Sequence, residues 1–209
     1  MSETKFLESL EDEEEMVYHM HRVLQSLWGD DYTSDSSRQD TARRFVAFLE
    51  EFHSSDPQEG EHLPEKITKG IFNLESAGQD EQVDWVQQFG MPFRMICEHH
   101  LLPAWGHAHI AYKPNNAVLG LSKFPRLVDD VATSGATLQE RFTKDLLRKV
   151  YSLVNPKALI VIIESEHSCV GCRGVNKPGI VTITDAYRGS VHESDVHRLK
   201  DLALTKGRH

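Results

Sequence analysis

The sequence predicts an α+β fold in which an antiparallel sheet is backed by two helices. Four short segments rich in β-branched and aromatic residues predict strands, at residues 83–96, 105–113, 157–165 and 180–187. Two segments with helical periodicity separate the second strand from the third. Because strands and helices come in pairs along the chain, and do not alternate one by one, the order favours an antiparallel sheet over a parallel one.

A helical extension precedes this domain. Apolar residues recur at steps of three and four in two stretches, Val17, Met20, Leu24 and Leu27 in the first and Phe45, Phe48, Leu49 and Phe52 in the second. Prolines and a glycine then interrupt a polar stretch, which indicates a linker. We therefore predict a helical extension over residues 1–56, a linker over 57–66 and the main domain over 67–209.

The two helices of the main domain have recognisable starts. Ser122 suits the N-cap of the first, and Pro125 is tolerated in the turn that follows it. The second begins at Thr137 and ends before Asn155-Pro156. Its apolar face comprises Leu138, Phe142, Leu146, Val150 and Leu153. An open four-stranded sheet leaves two edges, which pairing between subunits can cover, so an oligomer is expected.

Composition narrows the class of protein. The chain has 209 residues, with 23 Lys and Arg against 32 Asp and Glu, and a formal net charge of −9. This balance disfavours nucleic acid as a partner of the surface as a whole. No apolar run approaches the ~20 residues of a membrane helix, and the acidic start does not resemble a signal peptide, so we expect a cytoplasmic protein with no membrane partner. Its three cysteines would then be thiols, free for metal binding or catalysis.

Cysteine and histidine concentrate in two segments, Cys97-Glu-His-His100 and His167-Ser-Cys169-Val-Gly-Cys172. Thiolate and imidazole together form a zinc-type ligand set. If the first segment turns helically, Cys97 and His100 project to one side and His99 to another. If the second segment is extended, His167 lies beside Cys169.

Two kinds of zinc site fit these residues. Three protein ligands with a water in the fourth position are typical of catalytic zinc, and the candidates are Cys97, His100 and Cys169. His99 and His167 would then remain for proton transfer. If Cys172 supplied a fourth ligand, the site would be closed and structural. Spacing alone leaves both alternatives open.

Four separated motifs carry a resemblance to a known family. They are Cys97-Glu-His-His-Leu-Leu-Pro, Gly120-Leu-Ser-Lys-Phe-Pro-Arg126, Gln139-Glu-Arg-Phe-Thr-Lys144 and His167-Ser-Cys-Val-Gly-Cys-Arg-Gly-Val-Asn-Lys-Pro-Gly179. In this order and spacing they resemble GTP cyclohydrolase I of the zinc-dependent type, over most of residues 36–190. The resemblance favours the catalytic zinc site over the closed one.

This resemblance implies an enzyme that converts GTP and water to 7,8-dihydroneopterin triphosphate and formate. The zinc ligands that it implies are Cys97, His100 and Cys169. A water on this zinc would attack carbon 8 of the guanine. His167 resembles the main proton donor and acceptor of that step, with His99 assisting. Ser122 resembles the serine that hydrogen-bonds the ribose as its ring opens.

Guanine recognition has a candidate carboxylate. Guanine presents N–H donors along one edge, and a carboxylate can accept two of them. Glu140 resembles the family residue with this role, and the resemblance also implies that the neighbouring Gln139 binds the substrate. On spacing alone, Thr137 and Glu140 also fit a capping box, in which Glu140 would cap its own helix. The resemblance favours guanine binding.

A triphosphate needs cations gathered locally in a chain of net negative charge. The residues that resemble its ligands are Lys123, Arg126, Arg173 and, donated by a neighbouring subunit, Arg44. Ala47 stands where the family often has a lysine, which indicates that one phosphate contact is missing or replaced.

The resemblance also implies an architecture and an assembly. The fold would be the tunnelling fold, a four-stranded antiparallel sheet with two antiparallel helices, and subunits would form stacked rings, a homodecamer with sites at subunit junctions. One alternative is a non-catalytic tunnelling-fold protein that binds a purine or pterin around a closed zinc site. Another is an enzyme that stops after opening the guanine ring. The sequence leaves open whether the product serves folate, tetrahydrobiopterin or deazaguanine synthesis.

Overall fold

A computed structural model describes residues 3–30, 38, 40–52, 67, 69–74 and 83–206. The chain separates into two compact units, Met1–His53 and Ser54–His209. The predicted linker over 57–66 lies outside the described residues. Within the described part of the chain, no helix combines the length and hydropathy that a membrane span requires.

The first unit contains two helices, α1 (Glu3–Trp28) and α2 (Thr41–Glu50). Two carboxylates of the acidic stretch hold the second helix against the first: Arg43 donates to Glu13 and Glu14 at 2.6 and 2.7 Å. These two acidic residues are therefore paired with a cation of α2. Both helices lie where the periodicity predicted them.

The second unit is built on a four-stranded antiparallel sheet with the strand order β2-β3-β5-β6. Its strands are β2 (Val86–Cys97), β3 (Leu102–Lys113), β5 (Ala158–His167) and β6 (Val181–Gly189). Two short strands, β1 (Ile71–Asn73) and β4 (Ala117–Leu119), form a separate antiparallel pair. The four predicted strands are all present, so the predicted α+β class and the tunnelling-fold architecture are confirmed.

The main core fills the space between the sheet and two helices, α3 (Lys123–Ala132) and α4 (Gln139–Val154). Residues of β2, β3 and β5 alternate between the two sheet faces, and one set packs against these helices. Phe93 of β2 and Phe142 of α4 contact each other with ring centroids 4.9 Å apart. The helix patterns read from the sequence therefore describe the layer that forms most of the core.

A third helix covers the other face of the sheet. This is α6 (Glu193–Lys206), preceded in the chain by the single turn α5 (Ser168–Gly171). Its buried residues are Val196, Leu199 and Ala203, which pack against Ala111, Ile160 and Ile162. The apolar stripe of α6 is so narrow that it gives only a weak periodic signal in the sequence, and this helix was therefore not predicted.

Candidate functional site

The first site segment forms the turn between β2 and β3. Cys97 is the buried last residue of β2, and its carbonyl oxygen accepts a hydrogen bond of 2.9 Å from the amide of Leu101. Leu101 has a positive φ of 53°, which closes the turn. His99 and His100 are therefore exposed at the tip of a hairpin, with ring centroids 6.3 Å apart.

Backbone hydrogen bonds connect this turn to the start of α4. The amide of Thr137 donates to Ile96 at 2.9 Å, and the amide of Glu98 donates to Thr137 at 3.2 Å. This short parallel bridge between segments forty residues apart places the first turn of α4, with Glu140, beside the β2–β3 turn. An ion pair between Arg141 and Glu98 adds a side-chain contact between the same two segments.

The start of α4 excludes one of the two interpretations of Glu140. The helix begins at Gln139, its N-cap residue is Leu138, and no side chain caps it. The hydroxyl of Thr137 donates instead to the Leu138 carbonyl at 3.4 Å. The capping box that the spacing allowed is therefore absent. Glu140 is exposed, and its carboxylate is not used as a helix cap.

The second site segment follows β5. The last residue of β5, His167, pairs with Ala104 of β3, and the helical turn α5 begins at Ser168. The Ser168 hydroxyl donates to the Pro103 carbonyl at 2.6 Å, which ties α5 to the start of β3. The expectation that His167 and Cys169 share one face of an extended strand is wrong, because the strand ends between them.

Electrostatic coupling shows which site residues come together. Burial raises the pKa of the Cys97 thiol, and the nearby Cys169 and Glu140 raise it further. Burial lowers the pKa of His167; Glu140 opposes this effect and His99 adds to it. The fold thus brings five predicted residues from three separate segments into one electrostatically coupled cluster.

The donor set of this cluster fits zinc. Cys97 and Cys169 are close enough that a charge on one disfavours a charge on the other, and a divalent cation between them would relieve this repulsion. His100 lies three residues from Cys97 in the same turn and supplies an imidazole. Over the described part of the chain, no three His, Cys, Asp or Glu side chains already stand in a metal-binding arrangement. Cys172, the alternative fourth ligand, is exposed.

Gln139 lies beneath the cluster and is almost fully buried. Its amide nitrogen donates to the carbonyl oxygens of Ile163 and Thr182, at 3.2 and 3.0 Å. Its amide oxygen accepts from the Ser165 hydroxyl at 2.7 Å and lies 2.8 Å from Nε2 of His167. The side-chain amide of Gln139 is therefore occupied by protein groups on both its nitrogen and its oxygen.

Ser165 is a site residue that the sequence analysis missed. It is buried, and its hydroxyl oxygen is 3.1 Å from Nε2 of His167. A usable signal was present, because residues two apart on a strand share a face. Applied from His167 toward the N-terminus, that rule finds Ser165; applied toward the C-terminus, it reaches Cys169, beyond the end of the strand.

The residues predicted to contact ribose and phosphate lie on other elements. Ser122 and Arg126 are exposed at the start of α3, and Lys123 is partly buried there. The side chain of Lys123 packs on Gly70 so closely that a Cβ at residue 70 would lie 2.2 Å from its Cε atom. Arg173 is exposed just after α5, and Arg44 is exposed on α2 of the first unit.

Comparison with known proteins assigns the family. The family model described as GTP cyclohydrolase I matches residues 16–206. The chain belongs to the GTP cyclohydrolase I family. It is an enzyme of this class, and the family resemblance identified from the four motifs is confirmed.

Relatives named GTP cyclohydrolase 1 match over most of the chain. The protein from Carboxydothermus hydrogenoformans is 36% identical over 197 residues, 92% of this chain and 94% of the relative. That from Bacillus cytotoxicus is 34% identical over 198 residues, 93% of this chain and 97% of the relative. That from Listeria welshimeri is 44% identical over 136 residues, 65% and 70% of the two chains.

Among solved structures, the apo form of archaeosine synthase QueF-Like matches with a TM-score of 0.42 and 24% identity, over 54% of this chain and 100% of the other. The family assignment does not depend on this weak likeness.

Proposed function

We propose that this GTP cyclohydrolase I is zinc-dependent and converts GTP and water to 7,8-dihydroneopterin triphosphate and formate. The observation that carries the proposal is the coupled cluster of two thiols, two histidines and a carboxylate at the junction of β2, α4 and β5. A buried thiol and a partly buried thiol beside two imidazoles are suited to a metal, and an exposed carboxylate next to them is suited to a base with N–H donors.

Cys97, His100 and Cys169 are the proposed zinc ligands. Zinc, when bound, supplies Lewis-acid activation of water for attack on an electron-poor carbon such as C8 of guanine. Burial, with a smaller effect of the neighbouring Cys169, disfavours a thiolate at Cys97, and a bound cation would offset both effects. Cys172, the residue that follows α5, is exposed, which supports a site with three protein ligands.

His167 is the proposed proton donor and acceptor for guanine ring opening, and His99 assists it. The half-buried ring of His167 stays mostly neutral near pH 7, because burial lowers its pKa. A neutral imidazole can both accept and return a proton, which this reaction requires. His99 lies close enough to Cys97 for a 4.0 Å contact between its Nδ1 and the sulfur.

The proposed substrate contacts follow from the positions of the charged groups. Glu140 would accept two N–H groups of guanine, since its carboxylate is exposed beside the cluster and caps no helix. Ser122 would hydrogen-bond the ribose. The proposed triphosphate ligands are Lys123, Arg126, Arg173 and a neighbouring subunit's Arg44.

We also propose that the chain forms a homodecamer in which sites lie at subunit junctions. The outer strand β6 exposes Val181, Ile183 and Tyr187, and pairing with another subunit would cover them. A requirement for Arg44 from a second subunit would make activity depend on this assembly. The cytoplasmic location stays a prediction.

The test is to incubate the zinc-replete protein with GTP, to oxidise the products, and to measure pterin fluorescence and formate. We expect both products in equal amounts. A formamide intermediate detected by mass, with no pterin, would show that the enzyme only opens the ring. If well-folded, zinc-replete protein released neither formate nor pterin, the proposed function would be wrong.

A further inference from the structure

The contacts of His167 define which of its ring nitrogens carries hydrogen. Its Nε2 atom lies 2.8 Å from the amide oxygen of Gln139 and 3.1 Å from the hydroxyl oxygen of Ser165. In a neutral imidazole one ring nitrogen donates and the other accepts. The question is therefore whether these two neighbours are acceptors or donors toward Nε2.

The orientation of Gln139 is settled by groups that can only accept. Its nitrogen lies within hydrogen-bond distance of the main-chain carbonyls of Ile163 and Thr182, which have no hydrogen to donate. The end of the amide that faces His167 is therefore the oxygen. A bare Nε2 would oppose its lone pair to that oxygen at 2.8 Å, so Nε2 carries the hydrogen.

The Ser165 hydroxyl reinforces the same assignment. It has one hydrogen, which it donates to the amide oxygen of Gln139 at 2.7 Å. Its oxygen lone pairs then remain to accept from Nε2 of His167. The residue is 1% exposed, so the hydroxyl is shielded from water. Both neighbours of Nε2 act as acceptors.

We propose that Ser165 is a positioning residue, which together with Gln139 holds His167 in the Nε2–H tautomer and leaves Nδ1 as the nitrogen that exchanges a proton with the substrate. The proposal rests on the proposed role of His167. It also gives Gln139 a different role from the one its resemblance implied, because no hydrogen of its amide is left for guanine. Ser165 reaches the substrate only through the ring of His167.

The kinetic test uses zinc-replete protein with GTP and compares Ser165→Ala with Ser165→Thr. Loss of a group that orients a catalytic histidine costs about 10- to 100-fold in activity. We expect Ser165→Ala to lower kcat by this factor with little change in KM, and Ser165→Thr, which keeps the hydroxyl, to recover most of kcat. Gln139→Met should lower kcat further and also leave KM nearly unchanged.

Thr143→Val is the matched control. Thr143 is also 1% exposed. Its hydroxyl contacts the main-chain carbonyl of Gln139 and the hydroxyl of Thr184, and not the ring of His167. We expect it to reduce stability as Ser165→Ala does, and to keep the wild-type kcat. If Ser165→Ala retained full kcat, or lost no more of it than Thr143→Val, Ser165 would be only structural. If Gln139→Met raised KM and not kcat, Gln139 would bind guanine.

The tautomer itself is tested by ¹⁵N NMR of histidine-labelled holoenzyme, with His167 assigned from the signals that His167→Asn removes. We expect a protonated Nε2 and an unprotonated Nδ1 in the wild type, and a mixture in Gln139→Met. A wild-type ring with hydrogen on Nδ1 would overturn the proposal. If the wild type made no pterin at all, the proposed function would fail, whereas this measurement would still report on the tautomer.

Discussion

Two histidines on opposite faces of the same sheet can be compared directly. His167 ends β5 on the face that packs against α4, and His109 lies within β3 on the face that α6 covers. Each has a carboxylate nearby, Glu140 in the first case and Glu164 in the second. In both rings Nε2 carries the hydrogen, but the two Nδ1 atoms differ.

The Nδ1 atom of His109 is occupied. The amide of Gly90 donates to it at 3.2 Å, and the ring is buried. Nε2 lies 3.6 Å from the carboxylate of Glu164, too far for a hydrogen bond. Burial, with a smaller effect of the neighbouring His107, lowers the pKa of His109 to about 4. This ring is neutral at pH 7 and closes a bulge in β2.

The difference teaches what separates a structural histidine from the proposed catalytic one in this fold. Nδ1 of His109 accepts a hydrogen bond from a backbone amide, whereas the partners of His167 contact only its Nε2–H group. The position in the strand explains this, because His167 is at the end of β5, where the sheet opens into the cluster. The predictions below alter one side of the comparison at a time.

The largest effect is expected from Cys169→Ala. Removing one of three proposed ligands should abolish zinc binding and turnover together, because the remaining thiol and imidazole leave the metal too few ligands. Zinc per protomer, measured by atomic emission, and pterin formation would check this. Cys172→Ala, which removes an exposed thiol three residues away, should retain both. Loss of zinc in that control would favour a closed four-ligand site.

The second-largest expected effect distinguishes the role of His167 from that of His109. His167→Ala should keep zinc and lower kcat by about 10²- to 10⁴-fold, the usual contribution of a general acid–base. His109→Leu should keep kcat and lower the free energy of unfolding by about 1–3 kcal/mol, because the Gly90 amide loses its acceptor. Steady-state kinetics and urea unfolding measure the two. A fully active His167→Ala would contradict the assigned proton donor.

The third-largest expected effect distinguishes the role of Glu140 from that of Glu164. Glu140→Gln should lower kcat/KM by about 10- to 100-fold, mainly through KM, because charge-assisted hydrogen bonds to guanine are lost and the new amide hydrogens oppose its N–H donors. Glu164→Gln, which alters the buried carboxylate beside His107 and His109, should leave kcat/KM unchanged. Equal kinetic losses in both variants would refute a specific role for Glu140.

The smallest effect is a pH dependence of stability that belongs to His109. Its pKa is lowered from 6.5 to about 4 on folding, so between these values the unfolded chain takes up a proton that the folded chain does not. The contribution of His109 to the free energy of unfolding is therefore highest above pH 6.5 and decreases toward pH 4, by at most about 1.4 kcal/mol per pH unit. His109→Leu should flatten this part of the profile in urea unfolding at each pH. An unchanged slope would show that other groups cause it.

Local pattern was sufficient for most of the elements and for naming the candidate site residues. Periods of two and of three to four residues predicted the four sheet strands, both N-terminal helices, and α3 and α4, because each period reports a face that must be buried. The Cys97 and His167 segments were recognised because thiols and imidazoles at short spacing have few other uses. The narrow stripe of α6 and the end of β5 before Ser168 escaped, because neither has a strong local signal.

The sequence by itself determined the family, the α+β class and the residues that can carry the chemistry, since these follow from residue type and from spacing along the chain. Only the tertiary structure decided how these residues are arranged. A backbone bridge from Thr137 to the Cys97 turn places Glu140 beside that turn, and hydrogen bonds from the amide nitrogen of Gln139 to two strand carbonyls direct its amide oxygen to His167. Both depend on groups far apart in the chain, whose hydrogen bonds form only when the sheet and helix pack.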